Sequence, residues 1–197
     1  SQEIKVESFE WRDIDFAGLL SWGLRGEEPP MTAENLINLG TMKAFNIETW
    51  VNGKRAAVAA ETIMPVAEFT WLVPSDVRIE TKDAEYDFTA YVPDTEEETL
   101  EILKKHGLDN VEGDGAAAWV WNSKNGNASL DYAFEMPKLV DMSTNISFAD
   151  LKLEDFARAA EEGETNFVRE QGAFKGFTLN VKDEKALDAI FDIAALQ

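Results

Sequence analysis

Apolar side chains at Ile4, Val6, Phe9 and Trp11 alternate with polar ones too densely for a helix, and the alternation slips at Ser8, which predicts a first strand with a bulge. Asp13 or Asp15 then caps a short apolar helix carrying Phe16, Leu19, Leu20 and Trp22, broken by Gly23, Gly26 and Pro29-Pro30. A second short helical stretch is expected from Thr32, with Asn35 at its third position. Lys43, Phe45, Ile47, Thr49 and Val51 read as one face of a strand that ends at Asn52-Gly53, the preferred dipeptide of a tight hairpin. The returning strand starts at Lys54 and runs, with a break at Pro65, through Phe69 and Trp71 to Leu72. Val77 to Thr81 and Tyr86 to Val92 read as a strand pair joined across Lys82-Asp83 and stopped by Pro93.

Thr95-Glu-Glu-Glu98 has the form of a capping box, Leu100, Ile102 and Leu103 supply an apolar helix face, and Gly107 a left-handed stop. Strands resume as Asp109 to Trp121, Ala128 to Met136 and Leu139 to Phe148. A helix from Leu153 to Glu162 stopped by Gly163, a strand from Phe174 to Val181, and a last helix opened by Asp183 complete the chain. That helix carries Leu187, Ile190, Phe191 and Ile193, and its apolar face still runs at Gln197, so a sheet, a partner or more chain is expected to cover it. The pattern is α+β: a large curved antiparallel sheet of hairpins and meanders packed on about four short helices, in a single domain spanning 1–197. Ser8-Phe9 and Asp15-Phe16-Ala17 reappear as Ser147-Phe148 and Asp155-Phe156-Ala157, and Lys43 to Ile47 is echoed by Lys175 to Leu179. Either the chain holds an incomplete internal repeat, 1–140 and 141–197, or short patterns match by chance.

Composition narrows the class. With 45% hydrophobic and 28% charged residues the chain is expected to fold rather than stay disordered. Its 38 acidic and 18 basic side chains give a net charge of −20, which repels nucleic acid and anionic lipid surfaces and fits high solubility or a salt-adapted source. Without cysteine there is no disulfide, thiolate zinc site or thiol nucleophile. No apolar run reaches the roughly 18 residues of a membrane helix, so no transmembrane segment is expected in this chain. Ser1 opens no signal peptide, and any targeting segment is expected to have been removed.

Little of the sequence carries chemistry. His106, the single histidine, falls at a helix C-terminus before Gly107, where an imidazolium complements the helix dipole; that role is preferred to catalysis. Asp13/Asp15, Glu96 to Glu98 and Glu161/Glu162 read as solvated acidic faces. Asp109 to Gly115 is rich in oxygen donors but lacks the spacing of a calcium loop, and reads as a turn leading into a strand. There is no phosphate loop, dinucleotide fingerprint or nucleophile elbow, so no catalytic residue, metal site or cofactor is assigned. Asn127-Ala-Ser129 and Asn145-Ile-Ser147 have the form of glycosylation triplets. The remaining lead is aromatic: Trp50, Trp71, Trp119 and Trp121, with Phe134, are the candidate ligand-binding residues. Such rings either wall an apolar cavity or pack helices onto a sheet, and Trp119 and Trp121 share a face.

The strand–helix opening from Ser8-Phe9 to Leu20, the Phe45-Asn-Ile-Glu48 strand, the step from Leu103 to Asp109 and the hairpin from Trp121 to Leu130 together resemble the repeated unit of uncharacterised exported proteins of Gram-negative bacteria. The resemblance implies a periplasmic or otherwise exported location and, by looser analogy with lipoprotein carriers, lipid handling; it carries no catalytic residues. The first functional expectation is a non-enzymatic envelope protein binding an apolar, lipid-like small molecule, or a protein partner, on a concave aromatic face. The alternative is an assembly module of a longer repeat protein with no small-molecule ligand. A hydrolase comes third, requiring two carboxyls roughly 5 to 9.5 Å apart in a cleft. A carrier needs an enclosed apolar cavity of several hundred Å³, whereas an assembly module has a filled core and an uncovered apolar patch. The oligomeric state stays open.

Overall fold

The computed structural model describes residues 1–163, 172–183 and 185–196; the side chains of Glu161 and Glu162, and Gln197, lie outside the described set. Eight strands, β1 (Gln2–Arg12), β2 (Thr41–Val51), β3 (Lys54–Thr70), β4 (Val73–Tyr86), β5 (Val111–Asn122), β6 (Asn127–Met136), β7 (Val140–Ala149) and β8 (Ala173–Asp183), form one open antiparallel meander in sequence order. Among the described residues four helices accompany it: α1 (Ala17–Gly23), α2 (Glu97–Lys105), α3 (Leu153–Glu162) and α4 (Ala186–Ala194), plus a 3-10 turn at Phe88–Tyr91. The α+β class expected from the pattern is the class observed.

Several local expectations need correction. The stretch from Thr32 is a turn, with the Ala33 amide donating to Pro30 O at 2.8 Å and Asn35 left-handed at φ 55°. Val77 to Thr81 and Tyr86 are not a hairpin but parts of the single strand β4, and Phe88 to Tyr91 belongs to the 3-10 turn. The Thr95 capping box does not form: Glu96 is the N-cap of α2, with no side-chain cap bond. Pro65 does not end β3 but sits where its register against β4 shifts, the usual tolerated place for a residue without an N–H.

The register explains the slip at Ser8. Residues directly opposite in antiparallel strands share a face. Val111, Gly113, Gly115, Ala117, Trp119 and Trp121 alternate regularly along β5 and define an apolar face. On β4, Ala84 opposes Gly113 but Thr81 opposes Gly115, so β4 holds one extra residue there, and Asp83 takes φ 50° to absorb it. Pairing among β1 to β4 passes that point without a shift, through Ala60 on β3, Asn46 on β2 and Glu7 on β1. Four consecutive strands therefore share one bulge. Asn46 is left-handed at φ 48° and its amide donates to the Glu7 carboxylate, while the Asp83 amide donates to Asp114 Oδ1 at 2.9 Å. In consequence Lys43 and Phe45 fall on the polar face and Ile47 and Thr49 on the apolar one, correcting the single face expected for them.

Among the described residues, helices cover the apolar face only at its two ends. At one, α2 and α4 cover Val111, Met136 and Leu139 with Leu103, Leu108 and Ala189. Gly107 at φ 71° closes α2, and the Leu108 amide reaches back to Leu103 O at 2.8 Å, so the chain returns to the sheet at once. At the other end α3 seats Leu151, Leu153 and Phe156 against Val73, Trp121 and Ala128. The echoed segments at both chain ends lie in strands followed by a helix, β1 before α1 and β7 before α3. The second echo is out of register. Ser8 faces Phe45 whereas Ser147 faces Gly176, which puts Phe45 on the polar face and Phe177 on the apolar one.

Candidate functional site

The five candidate residues do not converge on one site. Trp121 is 3% exposed, its ring centroid is 4.7 Å from that of Phe156, and its Nε1 donates to Leu151 O at 2.9 Å. Trp71 and Trp119 pack beside it, donating to Pro29 O and Pro74 O, both at 3.0 Å. Phe134 lies at the opposite end, 5.7 Å from the Tyr86 ring in the α2/α4 cluster. Trp50 is on the other face, its Nε1 donating to Glu48 at 3.0 Å and its ring beneath the Lys5 ammonium at 4.4 Å. Trp121 and Phe134 therefore belong to the two clusters that fix helices to the sheet ends. Burial beside other rings, the larger cause, pushes the Tyr86 phenol up, so it stays a neutral packing group.

Between the two covered ends the apolar face is open. Leu130, Tyr132, Ile79, Phe177 and Leu179 are exposed there, and Phe174 and Val181 continue the surface to the outer edge of β8. On the other edge, Ile4, Val6, Phe9 and Trp11 of β1 are exposed as well. Alternation alone could have found these residues, since each holds an apolar position of its strand; what the pattern could not show is that no helix among the described residues reaches the middle of the sheet.

Concave space lies elsewhere. Among the described residues, clefts of about 270 to 540 Å³ open to solvent. One, about 430 Å³, is lined by Asp83, Glu85, Glu112, Asp114 and Glu135; another, about 310 Å³, lies on the polar face over Ala116, Ala118 and Ala133. Beside it Ser129, Asp131, Asn145 and Ser147 form a hydrogen-bonded row, in which Asn145 donates to Asp131 at 2.6 Å. No group of three or more metal-ligating side chains stands together among the described residues. No helix among them is long and apolar enough to cross a membrane.

His106 links helices. Its Nε2 lies 2.8 Å from Asp192 Oδ2, which also accepts from Lys105 Nζ at 2.7 Å, so α4 is tied to the end of α2. The Lys105 and His106 hydrogen bonds, in that order, hold the Asp192 carboxyl below its ordinary value. A lowered folded-state pKa means the tie stabilises above the ordinary carboxylate value and is lost as pH falls through the folded one. Asp192→Asn is expected to lower the melting temperature at pH 6 to 7, with the gap to wild type closing towards pH 3, read by thermal melts across that range.

Compared with protein-family models, curated proteins and solved structures, the chain matches none. Its class therefore rests on its own geometry: an open eight-stranded α+β meander with an uncovered apolar face.

Proposed function

We propose that this chain is a non-enzymatic assembly module whose apolar sheet face and sheet edges are completed by another protein surface. The observation that carries the reading is the exposed apolar surface between the two helix-covered ends, with Leu130 at 40% and Leu179 at 49% exposure. Contiguous apolar patches of this kind on a folded chain mark interaction sites. The carboxylates Asp83, Glu85, Glu112, Asp114 and Glu135 gather in one open cleft and the alanines Ala116, Ala118 and Ala133 floor another, so these acidic groups and that apolar floor stand apart. The exported location implied by the resemblance belongs to the same proposal.

The lipid-like ligand is the second reading, and the same open row, spanning β4 to β8, would hold it. Enclosure decides between the two, because a carrier shields an acyl chain from water and a protein surface needs only a flat patch. Nile red, which is neutral and so indifferent to a charge of −20, is expected to bind the natively folded protein. Leu130→Ser with Leu179→Ser is expected to cut its fluorescence several-fold without lowering the melting temperature. A native protein that leaves the dye dark would show that the face is covered and remove the basis for both readings. Native mass spectrometry showing a stoichiometric acyl species would move the balance to the carrier.

A further inference from the structure

We propose that β1 is a self-complementary edge through which two copies of this chain pair antiparallel about a two-fold axis passing between Glu7 and Ser8. The inference rests on the assembly-module reading and names its partner: a second copy. No described strand pairs with the outer edge of β1, and Ile4, Val6, Phe9 and Trp11 are 42% to 63% exposed along it. Long apolar edges are normally blunted, because their free amides and carbonyls template pairing.

What singles out β1 is its pattern read in both directions. In a regular strand, pairing Ile4 with Trp11 would set an even position against an odd one, on opposite faces. The shared bulge at Glu7 inverts the phase at mid-strand, so Ile4, Val6, Phe9 and Trp11 all lie on the apolar face while Glu3, Lys5, Glu10 and Arg12 lie on the polar one. With the axis at the bulge, Ile4 meets the second copy's Trp11 and Val6 its Phe9. On the polar face Glu3 meets Arg12 and Lys5 meets Glu10, and symmetry repeats each pair. Within one copy these charges already alternate along the strand, with Arg12 2.8 Å from Glu10 and Lys5 3.8 Å from Glu3. Isologous pairing of this kind is the commonest route to a closed dimer.

The other edge does not offer the same fit. In β8 the extra residue lies near one end, at the register shift beside Phe148, so two-fold pairing that joins Phe177 to Leu179 sets Phe174 against Lys182. Pairing β1 with β8 would match Glu3 to Lys182 and Glu10 to Lys175, but would leave Lys5 opposite Asn180, Arg12 opposite Ala173, and Phe9 out of phase with Phe177. Paired with itself in this register, β1 matches Ile4, Val6, Phe9 and Trp11 on one face and Glu3, Lys5, Glu10 and Arg12 on the other.

The palindrome makes its own test, because a charge swap and its rescue sit in one chain. Sedimentation velocity at 150 mM salt, where the Debye length of about 8 Å damps the long-range repulsion of two acidic copies, should show a monomer–dimer equilibrium. Glu10→Lys turns two symmetric attractive pairs repulsive and should raise the dissociation constant about tenfold or more. Adding Lys5→Glu to it should return the constant to within about threefold of wild type. Since the chain has no cysteine, Ser8→Cys should form an intermolecular disulfide on mild oxidation, whereas Thr178→Cys on β8 should not. These positions are exposed or lie on the surface strands, and circular dichroism checks the fold of each variant. A wild-type monomer at millimolar concentration overturns the pairing, as does a dimer indifferent to both swaps; Nile red binding by such a monomer would leave the assembly reading standing with a different partner.

Discussion

Trp121→Ala is expected to cost about 3 to 5 kcal/mol, the range for deleting a fully buried large aromatic. Three losses add at this position: the transfer free energy of the indole, the ring contact with Phe156 at 4.7 Å, and the Nε1 bond that satisfies Leu151 O. Leu151 is fully buried, so its carbonyl would lose a partner away from water. α3 has few other anchors, and its release should precede global unfolding. Amide exchange should therefore speed up first over Leu153 to Ala160, and a thermal melt should shift down by roughly 10 °C for a chain of this length. A loss below about 1 kcal/mol would mean that α3 is not held by this contact.

Leu103→Ala is the counterpart at the far end, with an expected cost of about 2 to 5 kcal/mol. Leu103 is 6% exposed and is the buried residue of α2, which in turn supports Ala189 and hence α4. Loosening should spread to both helices and leave α3 untouched. Val111 and Trp121 stand at opposite ends of β5, roughly 33 Å apart at the usual rise per residue. The two substitutions share no partners, and their costs should add within about half a kcal/mol in a double-mutant cycle. Chemical denaturation of the two single variants and the double one checks this. Marked non-additivity would show that the two helix-covered ends communicate through the sheet.

Legibility of the fold followed how local each signal was. The Asn52-Gly53 hairpin, the helix from Leu153 to Glu162 and the alternation of β5 to β7 are written in neighbouring residues and appear as expected. Alternation divides β4 because Lys82-Asp83 has the same look in a hairpin turn and in a bulge. Only the continuous pairing with β3 and β5 on both sides tells them apart. The faces of β2 are hidden for the same reason, since counting by twos from Lys43 passes Asn46 without sensing its left-handed backbone. Ser8 did show its slip, because the apolar residues on either side of it sit one position out of step. For the candidate site, Trp119 and Trp121 do share a face, but burial depends on which elements descend onto the sheet. That choice put Trp121 under α3, sent Trp50 to the polar side and left Leu130 and Leu179 in the open.

The column Glu7, Asn46, Ala60 and Asp83 behaves like a shared frameshift in a four-line text. Removing one letter from a single line puts everything beyond it out of step with the lines above and below, turning that half-strand inside out. Removing one letter from all four restores agreement with β5. The unit in which this half of the sheet can gain or lose length is therefore the whole column, and any lineage or designer that alters one strand there must carry the other three along.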